Sequence, residues 1–141
     1  MAGLWKHGTK LELIEGIGPS KAGKLRKAGV RSLAALLEQG GTPEGRKAIA
    51  KATGIAPKLI LEWVNHADLF RIKGVGEEYA DLLEEAGVDT VVELAKRDPK
   101  VLFGKLGAAN AAQKLVRRLP TQRQVGAWVR QAKKLPRRIR Y

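Results

Sequence analysis

Apolar residues recur along this chain at intervals of three and four positions, and no stretch alternates strictly between apolar and polar residues. The first spacing places apolar side chains on one face of an α-helix, whereas a half-buried strand requires a period of two. Clusters of glycine and proline interrupt the pattern often, so each helix is short. The pattern predicts an all-α protein without a β-sheet.

The glycine and proline clusters also predict where helices begin and end. Thr42 and Asp98 each precede a proline, which suits the first helical position, and each offers a side chain that caps a helix. Thr121 is the predicted cap of the last helix. In the first half the interruptions predict five short helices, with breaks at 16–18, 29, 40–43 and 54–57.

The chain contains an internal repeat. The segment IEGIGPSKAGKLRKAGVRSLAALL, from Ile14, aligns with IKGVGEEYADLLEEAGVDTVVELA, from Ile72, at a shift of 58 positions. Farther along, a shift of 65 positions aligns Trp63 with Trp128. Such repeats reuse one supersecondary unit that buries too little apolar surface alone. We expect two tandem five-helix units packed into one compact protein: a flexible N-terminus at 1–8, units at 9–67 and 68–135, and a basic tail at 136–141.

Each copy carries a Gly-hydrophobic-Gly turn before a predicted helix. Gly16 and Gly18 permit a tight turn and leave no Cβ between the backbone and a ligand. Pro19 then begins a helix whose N-terminal amides and dipole favour an anion. Lys21 and Lys24 add positive charge nearby.

These residues resemble the helix-hairpin-helix superfamily, whose pattern is hydrophobic-x-Gly-hydrophobic-Gly with Ala four residues later. The pattern is matched by Ile14, Gly16, Ile17, Gly18 and Ala22, and again by Ile72, Gly74, Val75, Gly76 and Ala80. The resemblance covers nearly the whole chain and is closest to an uncharacterised bacterial family, a domain of unknown function with such hairpins in tandem. It implies sequence-independent contact of hairpin amides with a DNA or RNA backbone, in some members through a monovalent cation.

The second copy inverts the charge of the first. Carboxylates of Glu77 and Glu78 stand where the first copy has Pro19 and Ser20. These carboxylates interact favourably with the helix dipole but occupy the position that a phosphate would take. The second hairpin is therefore not expected to bind a nucleic-acid backbone. The acidic helix is then either a solvated face or a docking surface for a basic protein partner, formed by Glu77, Glu78, Glu84 and Glu85.

Charge supports a polyanionic partner. Lys and Arg number 27 against 14 Asp and Glu, which gives a net charge of +13. Nucleic acid is the usual polyanion, although solubility or heat adaptation also enriches basic residues. The position of the basic residues favours nucleic acid, because residues 114–140 contain no Asp or Glu.

The C-terminal helix is predicted to be both anchored and basic. A helical wheel places Val125, Trp128, Val129, Ala132 and Leu135 on one face and basic residues opposite. The apolar face matches a buried face of the first repeat, which argues against membrane binding. The tail that follows is expected to be mobile until bound. The predicted nucleic-acid-binding residues are Gly16, Gly18, Lys21, Lys24, Lys27, Arg117, Arg118, Arg123, Arg130, Lys133, Lys134, Arg137 and Arg138.

No catalytic, metal or cofactor site is predicted. The chain lacks Cys, which excludes disulfides, thiolate zinc sites and cysteine nucleophiles. Neither His7 nor His66 has a second ligand or nucleophile at a recognisable spacing. Related glycosylases carry a catalytic Lys two residues after the second hairpin Gly, where this chain has Ser20. Neighbouring carboxylates such as Glu77 and Glu78 diverge on a helix, which disfavours a magnesium site.

These observations predict a non-enzymatic protein that binds nucleic-acid backbones without reading sequence. Two alternatives remain open: a structural subunit of a ribonucleoprotein particle, and a protein-interaction module that uses the acidic helix. The N-terminus lacks a signal-peptide pattern, and no window approaches the length needed to span a bilayer. The expected location is the bacterial cytoplasm or nucleoid.

Overall fold

The computed structural model describes residues 10–141, and within this range the protein contains eight α-helices and no β-strand. The predicted all-α class is confirmed, and the N-terminus predicted to be flexible at 1–8 lies outside the described residues. None of these helices combines the length and the apolar character that crossing a bilayer requires. The helices are α1 (Pro19–Lys27), α2 (Leu33–Gly40), α3 (Pro43–Thr53), α4 (Pro57–Leu69), α5 (Glu77–Glu85), α6 (Val91–Ala95), α7 (Pro99–Gln113) and α8 (Gln122–Lys133).

All three predicted helix caps are present. The Thr42 hydroxyl accepts a hydrogen bond from the Gly45 amide at 3.0 Å, and Asp98 caps the first turn of α7. Thr121 and Gln124 form a reciprocal capping box at the start of α8. These bonds satisfy amides that lack partners within the helix, so local sequence fixes where α3, α7 and α8 begin.

The prediction of five helices in each half is not confirmed, since within residues 10–141 each half contributes four α-helices. The segment before the first glycine turn forms only a short 3-10 helix at Leu11–Leu13. Before the second glycine turn, α4 ends at Leu69 and turns follow without another helix. Only seven residues separate Gly8 from Gly16, which is too few to close several α-helical hydrogen bonds. No Gly or Pro divides residues 58–73, so the second segment is the end of α4 and the turns after it.

Helix packing follows the same order in the two halves. Helix α2 packs against α4 as α6 packs against α8, and α3 contacts α4 as α7 contacts α8. Trp63 and Trp128, on α4 and α8, are 3% and 2% exposed and lie in the core. The predicted apolar face of α8 is buried at Val125, Trp128, Val129 and Ala132.

The two halves meet through α4, α5 and a buried ion pair. Asp68 accepts a hydrogen bond from Arg71 Nη1 at 2.7 Å and another from the Val91 amide at 2.8 Å. The carboxylate therefore connects the end of α4 to the start of α6. The predicted boundary at residues 67 and 68 lies within the last turn of α4.

The C-terminal tail is docked, contrary to the expectation of a mobile segment. Ile139 is 2% exposed, and the Arg140 amide donates to the Gly41 carbonyl at 2.7 Å. Arg46 of α3 donates to the Arg140 carbonyl at 2.8 Å. Ile139 is buried, and the amide and carbonyl of Arg140 are both hydrogen-bonded to residues of the first half. The tail therefore has a defined position in the fold.

Candidate nucleic-acid interface

The two glycine turns have the same backbone geometry. Gly16 has φ of 97° and Gly74 has φ of 96°, in the left-handed region that side chains other than glycine rarely adopt. The amides of Ile17 and Val75 each donate to the carbonyl three residues earlier at 3.1 Å. A Cβ added to Gly18 would meet no atom within 4 Å, so this part of the turn is open to a ligand.

The N-terminus of α1 carries amides without a described acceptor. The Ser20 and Lys21 amides donate to no acceptor within residues 10–141. Ser20 and Lys21 line an open groove of about 510 Å³ at the first hairpin. The Lys21 ammonium lies 5.9 Å from the Trp63 ring centroid, while Lys24 and Lys27 are exposed. Such amides and lysines favour an anion.

Carboxylates reduce the positive charge at this hairpin. Glu12 and Glu15 line the same groove. Glu12 forms a bidentate pair with Arg26 at 2.7 and 3.0 Å, and this hydrogen bond lowers the pKa of Glu12. The Glu15 amide donates to Glu77 Oε2, which brings another carboxylate to the turn. The first hairpin is therefore less electropositive than its own lysines predict.

The C-terminal helix provides a more uniform basic surface. Arg130, Lys133 and Lys134 are exposed and line an open groove of about 430 Å³ with Ala127 and Gln131. No basic side chain from residue 114 onward pairs with a carboxylate in the described part of the chain. A phosphate can therefore approach these charges without first displacing a protein carboxylate of the described residues.

All of the predicted binding residues are exposed, but they do not form one cluster. The first hairpin and α8 line separate grooves. Arg117 and Arg118 lie in the connection before α8, where the Arg118 carbonyl accepts a hydrogen bond from Tyr79 at 3.0 Å. Arg123 lies in the first turn of α8, and Arg137 and Arg138 lie on the docked tail.

Sequence reasoning missed a cluster around His66. His66 is 7% exposed, its Nδ1 lies 2.7 Å from Glu77 Oε1, and its Nε2 lies 3.1 Å from Glu84 Oε2. Asp81 Oδ1 lies 3.8 Å from the same Nε2. The carboxylates occupy one face of α5 at helical spacing, which is the signal the sequence offered. Only the fold brings His66 of α4 against that face.

The cluster holds a protonated imidazole among carboxylates. Burial by itself lowers the pKa of His66, but the hydrogen bond and charge of Glu77, together with Glu84, raise that pKa to about 9. Burial and the charge of Glu77 raise the pKa of Asp81 to about 6. Ligand atoms of His66, Glu77 and Asp81 lie within 4.8 Å of one another, so Glu77 does have convergent partners. The hydrogen bonds of His66 to Glu77 and Glu84 account for this arrangement as a structural ion pair.

In the second half, the side-chain amide of Gln131 occupies the position that His66 has in the first half. Gln131, which aligns with His66, accepts from the Lys73 amide at 2.9 Å and donates to its carbonyl at 3.3 Å. Glu15 aligns with Lys73. The Glu15 amide donates a hydrogen bond to Glu77 instead, and Glu77 in turn contacts His66. The cluster therefore anchors the first glycine turn to α4 and α5.

This internal role limits the acidic surface. Glu77 and Glu84 both contact His66 in the same chain, whereas Glu78 and Glu85 form no ion pair within residues 10–141. Of the four carboxylates predicted to meet a basic partner, two already have a cationic partner within the protein.

The fold and its surfaces define a small all-helical protein with an exposed basic C-terminal helix. Residues 15–135 match the family described as Domain of unknown function (DUF4332), and the chain belongs to this family. That description names no reaction or ligand. No curated protein and no solved structure matches the chain.

Proposed function

We propose that this protein is a non-enzymatic, sequence-independent nucleic-acid-binding protein that contacts the phosphate backbone. One observation carries the proposal: the acid-free segment from residue 114 onward exposes basic side chains that have no carboxylate partner in the described chain. Protein contacts to phosphate oxygens supply affinity and position without distinguishing bases.

The main contact in this proposal is α8, which presents its charges on a rigid support. Its apolar face is buried and its first turn is closed by a capping box, so the helix does not need to order on binding. Arg130, Lys133 and Lys134 then meet successive phosphates, with Arg123 at the other end of the helix.

The glycine turns are interpreted as tandem helix-hairpin-helix motifs. Their shared backbone geometry supports this interpretation. The first contributes the amides of Ser20 and Lys21, flanked by Lys24 and Lys27, as a second and weaker phosphate contact. The second hairpin begins α5 with two carboxylates and takes no phosphate.

A structural role in a ribonucleoprotein particle would use the same basic surface on folded RNA, and a preference for structured RNA is its signature. A protein-interaction role through α5 has less support, because Glu77 and Glu84 are engaged with His66. Both remain distinguishable outcomes of one binding experiment.

The experiment measures affinity by fluorescence anisotropy against salt concentration, with duplex DNA, single-stranded DNA and structured RNA. If about six phosphates are neutralised, the slope of log K against log salt is about −5 for duplex DNA. The variant Lys133→Glu/Lys134→Glu removes two contacts and is expected to reduce the steepness of that slope by about 2.

A matched control makes the same change in net charge elsewhere. Lys51 and Lys58 are exposed on α3 and α4, and Lys51→Glu/Lys58→Glu is expected to weaken binding much less. Equal losses for the two double variants would show that net charge alone acts and that α8 is not the site. Gly18→Ala tests the hairpin, since the added methyl meets only open space in the protein. Unchanged affinity there would leave α8 as the sole contact.

A further inference from the structure

The docked tail crosses from the second half of the chain to the first. It follows α8 and ends on the corner between α2 and α3, where Ile139 is buried and Arg140 pairs with the Gly41 carbonyl. The Tyr141 hydroxyl lies 3.5 Å from Asn65 Oδ1 on α4. The tail therefore connects the end of the basic helix to elements far away in sequence.

Two glycines at the end of α2 permit close packing, Gly41 against the tail and Gly40 against α4. A Cβ on Gly41 would lie 2.6 Å from the Arg138 carbonyl oxygen, and one on Gly40 would lie 2.6 Å from Val64 Cγ2. Neither glycine has positive φ, so backbone conformation does not require them. Close approach of the tail backbone, together with the Leu37 carbonyl oxygen 2.8 Å from the same Cβ position, accounts for the glycine at position 41.

Arg46 of α3 connects the tail to the end of α2 by hydrogen bonds. It is 7% exposed and donates to the Gly40 carbonyl at 2.9 Å and to the Arg140 carbonyl at 2.8 Å. It forms no ion pair with a carboxylate in residues 10–141. A buried guanidinium satisfied by carbonyl groups holds a backbone in place and keeps the local charge positive.

The side chains of Arg138 and Arg140 stay exposed while their backbone is held. A mobile arginine must lose backbone freedom when it grips a phosphate, whereas a docked arginine has lost it already. Docking thus turns a flexible basic tail into a fixed basic surface on the first half of the protein.

We propose that residues 136–141 form a strap whose docked Arg138 and Arg140 are a further phosphate-binding surface for the same nucleic acid. This surface lies on the α2–α3 corner and extends the contact made by α8. The inference rests on the proposed function for its ligand, while the docking itself is testable without any ligand.

Docking is tested first, with trypsin. The bonds after Arg138 and Arg140 resist cleavage in a docked tail, because a protease needs an accessible, extended backbone. Gly41→Ala is expected to speed cleavage at least about tenfold, since its methyl displaces the Arg138 carbonyl. Ile139→Ala removes the anchor from the tail side and should act alike. The control Gly104→Ala adds a methyl in open space on α7. Equally fast cleavage of all four proteins would overturn the strap.

Binding is tested next, on duplex DNA. Arg138→Gln/Arg140→Gln is expected to reduce the steepness of the salt slope by about 2, because two phosphate contacts are lost. Gly41→Ala is expected to keep the slope and weaken binding about five- to tenfold, because the released tail must order again. Gly104→Ala should match the wild type.

The two hypotheses fail separately. If Arg138→Gln/Arg140→Gln binds like the wild type while Lys133→Glu/Lys134→Glu binds weakly, the strap surface is refuted and α8 stands. If the wild type binds none of the nucleic acids, the proposed function is refuted, and with it the role of the strap as a phosphate surface.

Discussion

Replacing His66 with glutamine should remove a specific pH dependence of folding stability. Gln131 shows that an amide fits the equivalent place in the second half, so His66→Gln is a conservative change of shape. It removes the one cation that lies between Glu77 and Glu84. The carboxylates of Glu77 and Glu84 then lose the imidazolium that both of them contact.

The size of the effect follows from the pKa of His66. That pKa is about 9 in the folded protein against an ordinary 6.5, so the folded state binds the proton more tightly. The difference corresponds to about 3 kcal/mol of stability. Because the folded pKa is the higher one, this stabilisation is fully present below pH 6.5 and is lost as pH rises through about 9.

The titration of Asp81 lies at lower pH than the loss of stability expected from His66. Burial and the charge of Glu77 raise its pKa from 3.8 to about 6, so the folded state also binds this proton more tightly. Its contribution to stability falls as pH rises from 3.8 to about 6, which is below the range in which His66 titrates.

The assay is urea unfolding followed by tryptophan fluorescence, since Trp63 and Trp128 are buried. The wild type should lose about 2 to 3 kcal/mol of unfolding free energy between pH 6.5 and 9, and His66→Gln should lose much less. Glu78→Gln, an exposed change in the same first turn of α5, should keep the wild-type dependence. A flat wild-type profile, or an undiminished dependence in His66→Gln, would refute the reasoning.

Two further changes test backbone geometry and the contact between halves. Gly74→Ala should cost about 1–2 kcal/mol of stability, because φ is 96° and the new Cβ would lie 3.1 Å from Trp128 Nε1. Gly76→Ala, with open space around it, should cost about 0.5 kcal/mol or less, and equal losses in urea unfolding would contradict this account. Asp68→Ala leaves the guanidinium of Arg71 buried without its carboxylate and should cost about 3–5 kcal/mol. A loss below about 1 kcal/mol in thermal or urea unfolding would show that this pair does not hold the halves together.

Local sequence was enough to predict several parts of the fold because each depends on near neighbours. The cap at Thr121 acts on an amide three residues away, and the tight turn at Gly16, which the structure forms with positive φ, depends on the missing Cβ of that residue. The apolar face of α8 follows from helical spacing alone. Exposure of Arg130 and Lys133 on the opposite face follows for the same reason.

Sequence alone determined the all-helical class, the helix caps, the glycine turns and the placement of positive charge on α8. Tertiary structure alone decided that His66 meets Glu77 and that the tail docks beside Gly41. Both contacts join residues distant along the chain, and their stability comes from burial and from hydrogen bonds that exist only after the helices pack. The tail has no periodic pattern of its own, so nothing local distinguishes a docked strap from a free basic end.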